Sequence, residues 1–392
     1  MTQIELNKNH KKTAIVSYGG RVTTSGTNVR SVDIEYTRKY LMNVLGREQV
    51  DFVTEVISKE RGIEHVKPIS EYMDGRLNEY DEVFIYNSPF NLFGGKFTAQ
   101  MLNTIRALLN YNGEIYYILA DPKMPCVNVA EQIRSRVKTV VNGIAQLPIT
   151  NDKFYEWKME WFDDFTNRVY PKIKTAFCGL DYNLFYQVWN KKVKGKTTPN
   201  NYLNPDAEWF SFWLFEYYAV NELFEEKLQD YDKTNCQYDL VYYGNNRGTE
   251  RDKTIKNIFS DNDFKVVTWG YNVDWENATV NKYCSHDELF KNMCTNAYAT
   301  VIIGDVTHNN NIRTARFFES MLLDIVGFIW HEYDKDKKFV ENEELKNFIY
   351  FSSKEELKEK LAKIKSEPDF YKHIVELQRN EIKRIATEFI NH

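Results

Sequence analysis

Apolar positions in the first third of the chain come in short blocks separated by turn formers. Residues 13–20, Thr-Ala-Ile-Val-Ser-Tyr-Gly-Gly, read as a buried strand closing on a glycine turn. A polar loop follows, then a helix near 34–45. Further strands are predicted over 49–56, 81–87 and 114–120. Between the last two, residues 97–109 have helical spacing, with Met101, Ile105, Leu108 and Leu109 on one face. Strands alternating with helices imply a parallel sheet covered on both sides. Residues 209–228 read as an aromatic helix leading into a second region. There the rhythm restarts, with strands over 238–243, 264–270, 299–304 and 325–330. Helices are predicted over 251–259, 314–323, 355–363 and 369–390.

This rhythm predicts an N-terminal Rossmann-like domain over 1–215 and a second over 216–370. Residues 371–392 form a C-terminal helix expected to pack back on the first domain. A length of 392 residues suits such a division, since domains average about 150 residues. Two α/β domains facing a central cleft is the layout of GT-B glycosyltransferases. Periodicity alone does not separate it from other two-domain α/β proteins, such as periplasmic-type binding proteins.

Charge adds one refinement. The net charge of −5 excludes a uniformly basic protein. Yet residues 122–196 hold 13 Lys and Arg against 7 Asp and Glu, a local +6. Tyr155, Trp157, Trp161 and Phe162 are interleaved there, and the segment ends in the run Lys191, Lys192, Lys194, Lys196. No apolar run approaches the roughly 20 residues that span a bilayer. The start, MTQIELNKNHKK, has no signal-peptide pattern, so a cytoplasmic protein without a membrane partner is expected. The five cysteines (126, 178, 236, 284, 294) show no CxxC spacing, which argues against a disulfide framework or a zinc site. The seven histidines form no HExxH or similar cluster.

Four stretches could carry chemistry. Asp121 follows the strand over 114–120 on a turn stiffened by Pro122 and Pro125, where open α/β sheets bind ligands. It is a candidate general base or a turn cap. After the strand over 238–243 comes Gly244, then Arg247 and Arg251 as a helix begins. A helix start with two guanidiniums suits a diphosphate, although solvated arginines would look the same. Arg316 and Glu319 lie one helical turn apart. They could reach a phosphate and a ribose, or form an exposed ion pair. Finally, Asn91, Phe93, Gly94, Gly95 and Lys96 follow the strand over 81–87. That loop could touch phosphates or wedge into a base stack, or be a plain turn over a buried Phe.

Taken together, DEVFIYNSPFNLFGGK (81–96), EIYYILADPKMP (114–125), YDLVYYGNNRGTER (238–251) and ATVIIGDVTHNNNIRTARFFES (299–320) resemble the phage DNA β-glucosyltransferase family in order and spacing. That family glucosylates 5-hydroxymethylcytosine in duplex DNA. Weaker similarity runs over most of the chain. The resemblance implies a GT-B fold, a UDP-sugar donor bound mainly by the second domain, and inverting transfer to DNA containing 5-hydroxymethylcytosine. It further implies a monomer in the host cytoplasm whose product protects phage DNA from nucleases. Carried over by position, Asp121 falls on the catalytic base, and Arg247 and Arg251 on the diphosphate arginines. Arg316 and Glu319 fall on the phosphate- and ribose-binding pair, Asp305 on an acidic residue beside the sugar, and Gly244 on the donor-side turn. Asn91 to Lys96 become the DNA-contacting loop.

Departures from the family pattern bear on details. An acidic residue near the first helix has no clean counterpart, with Asp33 and Glu35 both candidates. A phosphate-touching lysine falls on Cys284, with Lys282 two residues away. The segment 122–236 is longer than in the family. These leave open the sugar, glucose or a pentose such as arabinose, and the acceptor surface. Mg²⁺ or Mn²⁺ could aid product release, but no motif requires a metal. The alternatives are a UDP-sugar transferase for another hydroxylated pyrimidine or a non-DNA acceptor, and a non-catalytic DNA- or nucleotide-sugar-binding protein. Asp121, Arg247, Arg251 and Glu319 occurring together argues against the last.

Overall fold

The computed structural model describes residues 2–6, 9–17, 35–54, 64–86, 99–119, 161, 164–193, 207–219, 221, 229–244, 246, 248–260, 263–270, 273, 275–281 and 286–391. They fall into two compact units that divide between Phe212 and Trp213.

The first unit contains β1 (Thr2–Gln3), β2 (Lys12–Ser17), α1 (Glu35–Asn43), β3 (Gln49–Thr54), β4 (Val66–Pro68), β5 (Glu82–Tyr86), α2 (Ala99–Leu109), β6 (Glu114–Leu119), β7 (Lys174–Phe177), α3 (Tyr182–Val193) and β8 (Glu208–Ser211). Its strands form one sheet in the order β1-β8-β7-β6-β5-β2-β3-β4, and every pairing is parallel. Central strands of such a sheet are buried on both faces, so they read as continuous apolar runs. All five residues of β5 are buried, and so are the last five of β6.

The amino ends of these strands carry an ionic ladder. Glu82 and Glu114 are register partners on adjacent strands, an arrangement that repels unless it is compensated. Lys11 bridges the two, with Nζ 3.5 Å from Glu82 and 2.9 Å from Glu114. Arg47 donates to Glu82 through Nε at 2.6 Å and Nη2 at 3.2 Å, both side chains being buried. Lys174 lies 2.9 Å from Glu114 and 3.2 Å from Glu208. Burial alone would raise the Glu114 carboxyl, but hydrogen bonds from Lys11, Lys174 and Tyr116 hold it at about 2.

The second unit contains α4 (Leu214–Tyr218), β9 (Tyr238–Tyr243), α5 (Glu250–Phe259), β10 (Val266–Trp269), β11 (Ala278–Asn281), α6 (His286–Asn296), β12 (Ala297–Ile302), α7 (Ala315–Leu322), β13 (Val326–Trp330), α8 (Glu343–Ile349), β14 (Tyr350–Phe351), α9 (Lys354–Ser366) and α10 (Pro368–Asn391). Its sheet has the order β11-β10-β9-β12-β13-β14, again all parallel. This is the doubly wound Rossmann order, which reverses direction between β9 and β12. The C-terminal helix α10 runs unbroken and packs on α4, α7, α8, α9 and β13 of its own unit. Gln378 ties it to the sheet, accepting from Gly327 N at 2.9 Å and donating to Ile325 O at 3.0 Å. Cys178 and Cys294 are buried thiols and Cys236 is half-buried. No helix among the described residues is long and apolar enough to cross a membrane.

The aromatic helix expected over 209–228 is corrected. Glu208–Ser211 is a strand between β7 and β1, and an α-helix over Leu214–Tyr218 follows it. Trp209, Phe210 and Phe212 are buried aromatics. A short apolar run of this kind suits either element, and pairing with a distant strand decides.

Candidate functional site

In an open parallel sheet, ligands bind beyond the carboxyl ends of the strands, at the point where strand order reverses. In the second unit that point lies between β9 and β12. The chain leaves β9 through Gly244, which has φ +147°. A Cβ there would sit 2.6 Å from Arg316 Nη2. The neighbouring turn, after β10, is as tight: a Cβ on Gly270 would lie 1.9 Å from the carbonyl oxygen of Gly244. Two backbones in near contact leave room only for glycine.

Beyond Gly244, a capping box starts α5. Thr249 Oγ1 accepts from Asp252 N at 3.3 Å, and Asp252 Oδ2 accepts from Thr249 N at 3.0 Å. The other carboxylate oxygen of Asp252 receives Arg251, from Nη2 at 2.9 Å and Nε at 3.2 Å. One side chain thus fixes both the helix start and the direction of a guanidinium. Arg251 Nη1 lies 3.7 Å from Asp305 Oδ2, on the turn after β12.

Helix α7 supplies the other wall. Glu319 is fully buried and accepts the Tyr243 hydroxyl at 2.9 Å. Arg316, half-buried, donates Nη2 to the Tyr243 carbonyl. Its guanidinium carbon stands 5.1 and 4.8 Å from the ring centres of Tyr242 and Tyr243. Its Nε has no hydrogen-bond partner among the described residues. The reading of Arg316 and Glu319 as an exposed ion pair is therefore corrected, because the glutamate faces into the protein. Tyr333 orients the approach to α7: its hydroxyl donates to Ile312 O at 2.7 Å and accepts Thr314 N at 3.1 Å.

The structure thus brings Gly244, Arg251, Asp305, Arg316 and Glu319 to one end of one sheet. Asp33, Asn91, Phe93, Gly94, Gly95, Lys96, Asp121 and Arg247 lie outside the described residues, as do Lys282, Cys284, Lys194 and Lys196. Tyr243, Asp252 and Tyr333 were not singled out by sequence reasoning. Asp252 had a local signal, a threonine three positions before an acid at a helix start. Tyr243 and Tyr333 had none, since their partners lie far away in the chain.

Two guanidiniums beside a helix start, with a buried carboxylate one turn along a second helix, suit a diphosphate joined to a vicinal diol. Among the described residues there is no group of three or more His, Cys, Asp or Glu that could hold a metal ion, and Asp305 faces Arg251.

The fold is shared with known proteins. A family model described as bacteriophage T4 beta-glucosyltransferase matches residues 11–150. A DNA beta-glucosyltransferase of Enterobacteria phage T4 is 21% identical over 385 residues, covering 95% of both chains. The solved structure of T4 phage BGT in complex with UDP and Mn²⁺ superposes with a TM-score of 0.67 at 21% identity, over 97% of each chain. An alpha-glucosyltransferase in complex with UDP and a mismatched 13-mer DNA gives a TM-score of 0.52 at 11% identity, over 97% of this chain and 100% of the other. The shared fold is GT-B.

Proposed function

We propose that the chain is a member of the phage DNA glucosyltransferase family and that it moves a sugar from a UDP-sugar to the hydroxymethyl group of 5-hydroxymethylcytosine in double-stranded DNA, with inversion at the sugar carbon. The observation that carries the reading is the convergence of Arg251, Arg316, Asp305 and Glu319 where the second sheet reverses.

The chemistry follows from those groups. A hydroxymethyl oxygen is a weak nucleophile and needs a carboxylate to take its proton as it attacks C1 of the sugar. Asp121, two positions after the end of β6 in sequence, is assigned that task. As the bond from C1 to the diphosphate breaks, negative charge grows on the β-phosphate. Arg251, with Arg247 and Arg316, is assigned to meet it, and preorganised donors of this kind are the usual source of such stabilisation. Glu319, held by Tyr243, is assigned to the ribose hydroxyls, and Asp305 and Asp33 to the sugar. A base inside a duplex must leave the stack to be reached. The loop from Asn91 to Lys96 and the basic segment 122–196 are assigned to that side of the reaction. A monomer acting in the host cytoplasm, with product that resists nucleases, completes the reading.

The test is incubation of hydroxymethylated duplex DNA with UDP-glucose, a UDP-pentose such as UDP-arabinose, and other UDP-sugars, followed by mass spectrometry of the nucleosides. A glycosylated hydroxymethylcytosine is expected with one donor. No new nucleoside with any donor would remove the reading.

A further inference from the structure

The helix that opens the second unit carries a buried carboxylate outside the site just described. Glu216 of α4 is 6% exposed. Its Oε1 lies 3.6 Å from Nη1 of Arg313, on the turn that enters α7. Arg313 is itself largely buried, 5.9 Å from the centre of the Phe339 ring, and its Nε lacks a hydrogen-bond partner among the described residues. A buried guanidinium with so few contacts depends on its carboxylate for placement. The start of α7 has little cap of its own. Thr314 makes no side-chain cap hydrogen bond, and its N–H goes to Tyr333.

We infer that Glu216 is a positioning residue of the donor site, acting through Arg313 on the start of the helix that carries Arg316 and Glu319. The inference rests on the donor reading above. Ionised Glu216 holds Arg313 beside α4. Neutral Glu216 leaves an uncompensated cation at the amino end of α7, where the helix dipole repels positive charge. Burial raises the Glu216 carboxyl and Arg313 opposes the rise, the balance falling at about 7. Several charged groups on the helices packed against α4 are otherwise engaged. Arg316 and Glu319 bind Tyr243, Arg379 pairs with Asp230 and His373 with Glu344, and Arg384 pairs with Glu341, Glu381 and Glu388. Donor affinity therefore rises with pH as Glu216 ionises.

Calorimetric titration with UDP-glucose, from about pH 6 to about pH 8, brackets that ionisation. The diphosphate of this donor is fully ionised throughout, so its own titration does not intrude. In the wild type the affinity is expected to rise about fivefold, the low end of ordinary coupling between sites. Glu216→Gln should be flat at the weaker level, and Arg313→Gln should also lose the pH dependence although Glu216 remains. Melting curves identify which variants are folded. An unchanged pH dependence in either folded variant overturns the inference and leaves the donor site standing. Failure of the wild type to bind UDP-glucose at any pH counts against the donor reading instead.

Discussion

One tyrosine hydroxyl meets the buried carboxylate of the proposed donor wall. Tyr243→Phe removes the hydrogen bond to a fully buried Glu319. Losing a hydrogen bond to a charged group costs about 1.5–3 kcal/mol, so chemical denaturation should show that loss and calorimetry a weaker affinity for UDP. Arg251→Ala and Glu319→Ala should each weaken UDP binding by about tenfold to a hundredfold, the same energy read as affinity. Unchanged affinity in both would move the donor site elsewhere. Asp121→Ala should behave in the opposite way, keeping UDP binding while transfer falls by about 10²–10⁴. Wild-type turnover from that variant would cancel its role as base.

Elements explain how much of this was legible. The strands at the centre of both sheets announce themselves, because a strand buried on two faces must be largely apolar, as β5 is after Glu82 and β9 is after Asp239. Edge strands escape notice. β1 has two residues and β11 has no buried residue, so neither has a pattern, and the strand over Glu208–Ser211 was hidden inside an aromatic run. Local spacing set Arg251, Arg316 and Glu319 on helix starts and faces, and the family resemblance, not the spacing, gave them roles. Tyr243, Glu216 and Arg313 were not readable, because their roles arise from contacts between distant segments. The amino-edge ladder makes a prediction at this scale. The Glu114 carboxyl is depressed from 4.5 to about 2 in the folded state, so its contribution is fully present above the unfolded value and is lost as pH falls through the folded one. Urea unfolding of wild type and Glu114→Gln should therefore show a stability gap at neutral pH that closes as pH falls towards 2. A gap independent of pH would mean the ladder acts by packing alone.

At the scale of the whole molecule, two units with separate sheets should respond separately to ligands. Saturating UDP, at about a hundred times its dissociation constant, stabilises what it binds by about 2.7 kcal/mol. Hydrogen exchange should slow in β9, β12 and α7 and stay unchanged in β2, β3 and β5. Equal protection of both units would argue against a donor site confined to the second. DNA binding should weaken steeply with salt, with log K falling by about 0.9 per phosphate neutralised. Replacing Lys191, Lys192, Lys194 and Lys196 should flatten that slope, and an unaltered slope would mean the run faces solvent. The parallel topology also has a consequence in time. Thr2 and Gln3 pair with Glu208 and Trp209, so β1 is synthesised about two hundred residues ahead of its partner. At elongation rates of about 5–20 residues per second, that is a wait of roughly 10–40 s on the ribosome. The outer edge of the first sheet is therefore sealed late in translation, and until then its nascent amino end is open to chaperones and proteases.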